Sequence, residues 1–176
     1  MDDGPTGAED RGLTPRDPTV EDVVGLCREL NRRGVRYVVV GGFAVWAVGY
    51  PRHTADIDLI IDASPENEAR AFDALATLPD GCVRELASGD VGRYAVVRVA
   101  DEIVVDLMAH ASGIGYDEAS KHVAVVEIGG VPVPFASADL LWRMKTRERR
   151  EKDRGDIEFL RRWFSARGRE PPDSAS

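Results

Sequence analysis

Three aspartates within apolar, strand-like stretches are the residues of this sequence best suited to chemistry. Asp56 and Asp58 stand one residue apart in DIDLII, so in an extended strand both project from one face while Ile57 points into the core. Asp106 lies within a second apolar run, IVVDLM. Neighbouring carboxylates repel each other and are costly to desolvate, and a divalent cation removes that cost. If the two strands are neighbours, the three carboxylates converge, which is enough to hold two Mg²⁺ ions around a triphosphate.

A glycine pair, Gly41 and Gly42, ends the apolar run YVVV and opens a short, apolar, helix-compatible segment. Glycine lets backbone N–H groups approach a ligand closely, and a helix N-terminus is a place for phosphate. Arg52 and Thr54 come just before the aspartate strand, at the predicted mouth of the site. The Arg52 guanidinium could bind a phosphate or the acceptor, and its alternative is an ion pair with a nearby carboxylate. With the aspartates, these residues indicate chemistry on a nucleoside triphosphate.

The order of a glycine pair, a short helix, Gly49, Arg52, Thr54 and the D-x-D strand resembles the nucleotidyltransferase superfamily with the polymerase-beta-type fold. The resemblance covers roughly residues 20–165. It implies an α+β fold with a mixed, mostly antiparallel sheet flanked by helices and a C-terminal helical segment. Asp106 stands where the third carboxylate of the superfamily is expected, and its alternative is an edge-strand acid that faces water. The implied catalytic and metal-binding residues are Asp56, Asp58 and Asp106. The implied nucleotide-binding residues are Gly41, Gly42, Arg52, Thr54, Lys145 and Lys152.

The charged C-terminal segment carries the second part of the resemblance. Lys145 on one predicted helix is followed by K-D-R-G-D-I from Lys152 onward. This pattern is similar to stand-alone nucleotidyltransferases, which include toxins of abortive-infection and toxin–antitoxin systems, and to lincosamide nucleotidyltransferases. The resemblance implies that Lys145 and Lys152 meet phosphate and that Asp153 or Asp156 shapes the acceptor side. Ion pairing between residues four apart on a helix explains the same charges without a ligand.

The implied reaction is attack of an acceptor hydroxyl on the α-phosphorus of a nucleoside triphosphate, with pyrophosphate as the leaving group. Three functions remain open. The first is a toxin-like enzyme that adds nucleotides to an RNA end, such as that of tRNA, with a cognate antitoxin as partner. The second is an enzyme that adenylylates a small hydroxyl compound such as an antibiotic. The third is a non-catalytic partner protein such as an antitoxin, and three clustered acids argue against it.

Composition predicts a single, acidic domain. The chain has 176 residues, 43% of them hydrophobic, and a formal net charge of −8. The charge is uneven, because residues 1–142 hold 12 Lys/Arg and 24 Asp/Glu, whereas residues 143–170 hold 11 and 6. The acidic body would attract a cationic drug. The basic C-terminal helix could hold triphosphate or an RNA end, and its alternative is a solvated face with internal ion pairs. The sequence has neither an apolar run of membrane length nor a signal-peptide pattern, so we expect a cytoplasmic protein. Cys27 and Cys82 match neither a metal-ligand nor a disulfide spacing, so we expect both to be reduced.

The predicted organisation is a disordered tail (1–17), a nucleotidyltransferase core (18–136), C-terminal helices packed on it (137–167) and a frayed tail (168–176). Without a sizeable second domain, acceptor specificity would come from the C-terminal helices or from a homodimer partner. Ser64 and Pro65 predict the start of a helix that runs to about Leu78. Its predicted buried side is Ala69, Phe72, Leu75 and Ala76. Other predicted elements are hairpins at 94–108 and 122–135, a short strand at 82–87, and a loop with a turn of helix at 109–120.

Overall fold

The structure is a computed structural model that describes residues 14–173. Its helices are α1 (Val20–Arg32), α2 (Gly41–Val48), α3 (Pro65–Leu75), α4 (Asp90–Arg93), α5 (Tyr116–Ala119), α6 (Ala138–Glu148) and α7 (Arg154–Ser165). Its strands are β1 (Tyr37–Val40), β2 (Asp56–Ile61), β3 (Val97–Ala100), β4 (Val104–Met108), β5 (His110–Ala111), β6 (Ile114–Gly115), β7 (Val123–Ile128) and β8 (Val131–Ala136). Two 3-10 turns cover Cys82–Glu85 and Glu151–Asp153.

A six-stranded sheet in the order β3-β4-β2-β1-β8-β7 forms the centre of the protein. The pairs β1–β2, β3–β4 and β7–β8 are antiparallel, whereas β2–β4 and β1–β8 are parallel. The predicted α+β class with a mixed, mostly antiparallel sheet is therefore confirmed, as are the two large hairpins. The strands β5 and β6 form a separate two-stranded sheet.

The central strands are buried on both faces, which explains their nearly continuous apolar sequence. All four residues of β1 are buried, and in β2 the residues that follow Asp58 are buried as well. Ile57 and Leu59 are fully buried, as the alternation of the aspartate strand predicted. Polar side chains interrupt this apolar pattern at one end of β2, and this end carries the candidate site.

Helices α1 and α6 begin as the sequence indicated. Thr19 and Asp22 make a reciprocal capping box at the start of α1, and the Ser137 hydroxyl accepts the backbone N–H of Leu140 at the start of α6. Along α7, Leu160 and Phe164 are buried against the core. These contacts fix α6 and α7 against the sheet, next to the polar end of β2.

Helix α3 buries a different face from the predicted one. Asn67 and Glu68 are buried while Ala69 is exposed. The Asn67 amide hydrogen-bonds backbone groups just before β1 and just after β2, and the Glu68 carboxylate accepts two backbone N–H groups at the start of α4. Their hydrogen bonds compensate the loss of water, so two polar residues take positions that an apolar pattern would not assign to them. The helix ends at Leu75, before the predicted end.

Two connecting segments also differ from expectation. Residues 82–87 contain a 3-10 turn instead of a strand, because the buried Asp101 carboxylate accepts the backbone N–H groups of Asp80 and Cys82 and holds the segment in a turn. Residues 109–120 contain the β5–β6 hairpin in addition to the expected turn of helix, α5.

The two predicted tails are only partly covered by the structure. Residues 1–13 and 174–176 lie outside the described residues, so the disorder predicted for them stays a prediction. Arg16 lies on the protein body, where its backbone N–H donates to Glu102 and its guanidinium pairs with Asp22. Arg169 pairs with Asp139 at 2.9 Å. Among the helices of residues 14–173, none is both long enough and apolar enough to cross a membrane.

Candidate active site

Four residues form one row across the centre of the sheet. Val40 of β1 lies opposite Asp58 of β2, Asp58 lies opposite Asp106 of β4, and Asp106 lies opposite Arg98 of β3. Paired residues on neighbouring strands project from the same face. The row therefore places two aspartates side by side. The alternative position for Asp106, an edge strand facing water, is wrong because β3 and β2 flank β4 and Asp106 is only 5% exposed.

Asp56 completes a cluster of three carboxylates, each with an oxygen within 4.8 Å of the others. Burial of its carboxylate, together with the negative charges of Asp56 and Asp106, raises the pKa of Asp58 to about 7. Lys152 and Lys145 lower that pKa through their positive charge, so both lysines lie within electrostatic reach of Asp58. Carboxylate oxygens this close together repel one another, and a divalent cation such as Mg²⁺, which prefers oxygen ligands, relieves that repulsion. The convergence predicted from the two strand sequences is thus confirmed, and the donor set fits a divalent cation.

Arg98 is the nearest cation to the carboxylate cluster. Its Nε donates to Asp106 Oδ1 at 2.9 Å and its Nη2 donates to Asp106 Oδ2 at 2.8 Å, which is a bidentate pair. The same Nη2 lies 3.3 Å from Asp56 Oδ2. Both oxygens of Asp106 thus accept from Arg98, which would compete with a metal ion for these oxygens.

The glycine pair packs so closely against Asp58 and Thr54 that no side chain would fit at either position. Gly41 has a φ of +66°, and a Cβ built on it would stand 2.1 Å from Asp58 Oδ2. A Cβ on Gly42 would stand 2.6 Å from Thr54 Oγ1. Because α2 begins at Gly41, its first backbone N–H groups lack partners within the helix and lie beside Asp58. This arrangement is compatible with the predicted phosphate cradle.

Arg52 makes an ion pair with Asp156 of α7. Its Nη2 donates to Asp156 Oδ2 at 2.9 Å, while its Nε lies 2.7 Å from Oδ1 without hydrogen-bond alignment. The neighbouring Tyr50 stacks on Phe159, with ring centroids 4.8 Å apart. Two contacts therefore tie the loop before β2 to α7. The alternative that the sequence left open for Arg52, a carboxylate partner, is the contact observed, and Arg52 still lines the cleft beside the aspartates.

Lys145 lies in a buried ion-pair network at the back of the cleft. Its Nζ is 2.9 Å from Asp153 Oδ1 and 2.8 Å from Asp156 Oδ2, and all three side chains are nearly buried. Arg150 pairs with the other oxygen of Asp153 at 2.8 Å. Asp153 and Asp156, predicted on the acceptor side, thus bind cations from α6, the loop before β2 and the turn before α7. The pairs of Lys145 and Arg52 connect separate elements, whereas Arg150 and Asp153 are only three residues apart. Pairing between residues four apart on one helix, the alternative that the sequence offered, therefore does not describe the contacts of Lys145.

The cluster opens into a cleft of about 840 Å³. Thr54 lies at its edge and donates to the Asp56 carbonyl, and Lys152 is an exposed residue on its rim. The predicted site residues that line the cleft are Gly41, Gly42, Arg52, Thr54, Asp56, Asp58, Asp106, Lys145, Lys152 and Asp153. Asp156 does not line it, although it contacts two residues that do.

Sequence reasoning gave no role to several titratable residues of the cleft, among them Arg98, Arg150 and His110. Arg98 lies in an alternating strand, RYAVVRVA, where an exposed arginine is unremarkable. Only the register of β3 on β4, which the hairpin turn sets, brings it opposite Asp106. His110 begins β5, two residues after β4 ends at Met108, so its closeness in sequence to the strand of Asp106 was a signal that could have been used.

A family model described as "Nucleotidyl transferase of unknown function (DUF2204)" matches residues 19–169. No protein of curated function matches the sequence significantly. One similar solved structure is an antigenic nucleotidyltransferase-like protein from Paracoccidioides brasiliensis, with 17% identity, a TM-score of 0.52, and coverage of 87% of this chain and 78% of that one.

A second similar structure is a candidate nucleotidyltransferase from Thermotoga maritima, with 17% identity, a TM-score of 0.48, and coverage of 85% of this chain and 97% of that one. At such identities, structural likeness informs on the fold alone. The family match spans nearly all of the described residues and includes every member of the carboxylate cluster. The chain belongs to this family of nucleotidyl transferases.

Proposed function

We propose that this protein is a Mg²⁺-dependent nucleotidyltransferase that moves a nucleoside monophosphate from a nucleoside triphosphate to an acceptor hydroxyl. The observation that carries the proposal is the cluster of Asp56, Asp58 and Asp106, whose oxygens lie within 4.8 Å of one another on neighbouring strands. Three neighbouring acids in apolar strands repel one another, and Arg98 offsets this for Asp106 and Asp56 only in part. The family supplies a reaction that needs a divalent cation at such a site.

These three residues would hold Mg²⁺, with two ions as the expected number. When bound, Mg²⁺ would neutralise phosphate oxygens and help to orient the triphosphate. Asp106 would also accept the proton of the acceptor hydroxyl, on a carboxylate whose two oxygens each accept one hydrogen bond from Arg98. Arg98 therefore acts on the same oxygens that the reaction needs.

The remaining residues would bind and orient the triphosphate. The backbone N–H groups of Gly41 and Gly42 would bind phosphate oxygens at the start of α2. Lys152 on the cleft rim would neutralise the leaving pyrophosphate, and Lys145 would add positive charge from the buried network. Arg52 and Thr54, in the loop before β2, would contact the nucleotide. Asp153 and Asp156 would shape the acceptor side by holding Lys145 and Arg52 in place.

Two classes of acceptor have support. The basic segment 143–170 favours an RNA end, as in a toxin-like enzyme that modifies tRNA and is restrained by a cognate antitoxin. The acidic body favours a cationic small compound such as an antibiotic. A non-catalytic binding role would leave the carboxylate cluster without a purpose. In either case acceptor recognition would come from the C-terminal helices or from a second copy of the chain.

The test is label transfer from each of the four α-labelled nucleoside triphosphates with Mg²⁺, using total tRNA or a panel of hydroxyl-bearing antibiotics as acceptor. Asp58→Asn is the loss-of-function variant, and Asp73→Asn on the exposed side of α3 is the matched control. We expect label on one acceptor class with the wild type and the control, and at least a hundredfold less with Asp58→Asn. Equal transfer by all three proteins, or transfer by none with any acceptor, would contradict the proposal.

A further inference from the structure

A second groove lies between the end of α6 and the first turns of α7. It has a volume of about 550 Å³, and we call it the arginine groove. Its lining residues are Trp142, Thr146, Arg149, Arg150, Glu151, Arg154, Ile157, Glu158 and Arg161. Four arginines against two glutamates make it a positive surface on a chain whose formal net charge is −8. A local concentration of charge against the overall sign is typical of a binding surface for an anion.

Contacts within the chain leave much of this positive charge available. Arg154 pairs with Glu151 at 3.4 Å, but both side chains are more than four-fifths exposed, so the pair is weak. Glu158 pairs with Arg162, which lies outside the groove. Among the described residues, no carboxylate oxygen lies within 4.0 Å of the guanidinium groups of Arg149 and Arg161.

Arg149 occupies a backbone conformation that favours glycine. Its φ of 49° and ψ of 42° are left-handed, at the C-terminal end of α6 where glycine is the common residue. An arginine there strains the backbone, and strained residues of this kind cluster at ligand-binding sites. Among residues 14–173 that side chain makes one hydrogen bond, from Nε to the Thr146 carbonyl at 3.2 Å, which uses one of its five N–H donors.

The floor of the groove is apolar. Trp142 is 9% exposed and Ile157 is half-buried against the core. The Arg161 guanidinium lies 5.8 Å from the Trp142 ring centroid. An apolar floor lowers the local dielectric constant and strengthens ion pairs between the arginines and a bound phosphate.

Arg150 connects this groove to the cleft, because it lines both. A chain of phosphates that leaves the cleft on this side passes Arg150, whose Nε pairs with Glu148 and Asp153. It then enters the groove that Arg149, Arg154 and Arg161 line. From this continuity we propose that the arginine groove binds the phosphate backbone of a nucleic-acid strand whose terminal hydroxyl is the acceptor in the cleft. The proposal rests on the proposed function and decides between its two acceptor classes, because a cationic small compound would be repelled by the groove.

The test compares two pairs of substitutions that remove equal charge. Arg149→Gly with Arg161→Gln changes the groove and relieves the left-handed arginine, so the fold is expected to be retained. Arg32→Gln with Arg93→Gln removes two exposed arginines from α1 and α4 and serves as the matched control. Fluorescence anisotropy measures the affinity of each full-length protein for a fluorescein-labelled single-stranded RNA at several salt concentrations, and a thermal melt checks each fold.

We expect the groove pair to lose at least tenfold in affinity, with a salt slope smaller by about 1.4 because two phosphate contacts are lost. The control pair is expected to change less than threefold. Equal losses in both pairs would overturn the proposal, since they would reflect only the total charge. A wild type that does not bind the RNA would overturn it as well.

A second measurement separates this proposal from the proposed function. It is the binding of a nucleoside triphosphate with Mg²⁺ to the wild type, the groove pair and the control pair. Triphosphate binding in all proteins together with RNA binding that fails in the wild type overturns the groove and leaves the transferase intact. A wild type that does not bind the triphosphate overturns the transferase. If that wild type still binds the RNA, the groove is an RNA-binding site and the acceptor role proposed for the strand is overturned. Label transfer to the RNA that falls with the groove pair and persists with the control pair would support both.

Discussion

Gly41 lies so close to Asp58 that a Cβ at Gly41 would stand 2.1 Å from the Asp58 carboxylate oxygen. The first residue of α2 and the central carboxylate of the cluster are therefore packed as one unit. β1 and β2 are antiparallel neighbours, and their register brings the end of β1 beside Asp58. Position 41 therefore requires glycine, because any side chain there would collide with the Asp58 carboxylate.

We expect Gly41→Ala to lower metal affinity at least tenfold and the free energy of unfolding by at least about 1 kcal/mol. The added methyl group would displace the Asp58 carboxylate, and φ at +66° would be strained. Gly34→Ala is the matched control, because Gly34 has the same φ of +66° but no atom within 4 Å of its built Cβ. The control should lose stability and keep its metal affinity, as measured by calorimetric titration. Equal metal affinities in the two variants would contradict the packing argument.

Arg98 competes with a cation for the carboxylates, so Arg98→Gln should bind Mg²⁺ several-fold more tightly than the wild type. In EDTA the variant should be less stable by about 1 kcal/mol, a small value because the Arg98 side chain is 59% exposed and screened by water. The rise in Tm on adding Mg²⁺ should therefore be larger than for the wild type. Arg93→Gln, at an arginine on the short helix α4, should change neither quantity. A Mg²⁺ response unchanged in Arg98→Gln would show that Arg98 does not compete.

Lys145→Met should lower the free energy of unfolding by about 3 kcal/mol, because it leaves the buried carboxylates of Asp153 and Asp156 without their shared cation. Lys121→Met, at an exposed lysine, should change it by less than about 0.5 kcal/mol. Urea denaturation measures both. A Lys145→Met protein with unchanged stability but lost turnover would assign Lys145 to phosphate binding alone.

Asp22 predicts a specific dependence of stability on pH. Hydrogen bonds from Arg16 and from the backbone and hydroxyl of Thr19 lower the pKa of Asp22 to about 2. Because the folded-state pKa lies below the unfolded value of about 4, the carboxylate stabilises the fold fully above that value, and the contribution is lost as the pH falls from about 4 to 2. We expect Asp22→Asn to be less stable than the wild type by about 1 kcal/mol at pH 7. The difference should shrink toward zero near pH 2, and a difference that stays constant with pH would contradict the assignment.

Part of the carboxylate cluster followed from strand periodicity. Alternation put Asp56 and Asp58 on one face, but the convergence with Asp106 depended on the two strands being neighbours, and its place as the third carboxylate came from the family resemblance. The ion pairs could not be foreseen in the same way. Which carboxylate binds Arg52 or Lys145 depends on how α7 packs on α6, and hydrophobic periodicity specifies a helix face but not the partner across it.

The errors in α3 and in the segment 82–87 have a common physical cause. In both places a buried acid, Glu68 or Asp101, is compensated by backbone N–H groups from residues distant in the sequence. Sequence patterns count an acid as exposed, because its compensation depends on tertiary contacts. The apolar pattern was therefore misread at the residues where polar groups complete the core.

The most direct test of the central claim is a titration of Mn²⁺, as a spectroscopic substitute for Mg²⁺, followed by electron paramagnetic resonance in the presence of a non-hydrolysable nucleoside triphosphate. Wild type, Asp58→Asn and the control Asp73→Asn are compared after thermal melts have established that each is folded. We expect the wild type and the control to bind Mn²⁺ with equal affinity, and Asp58→Asn to bind it about a hundredfold more weakly. Equal affinities for the three folded proteins would mean that the carboxylate cluster is not the metal site, and the proposed function would fall with it.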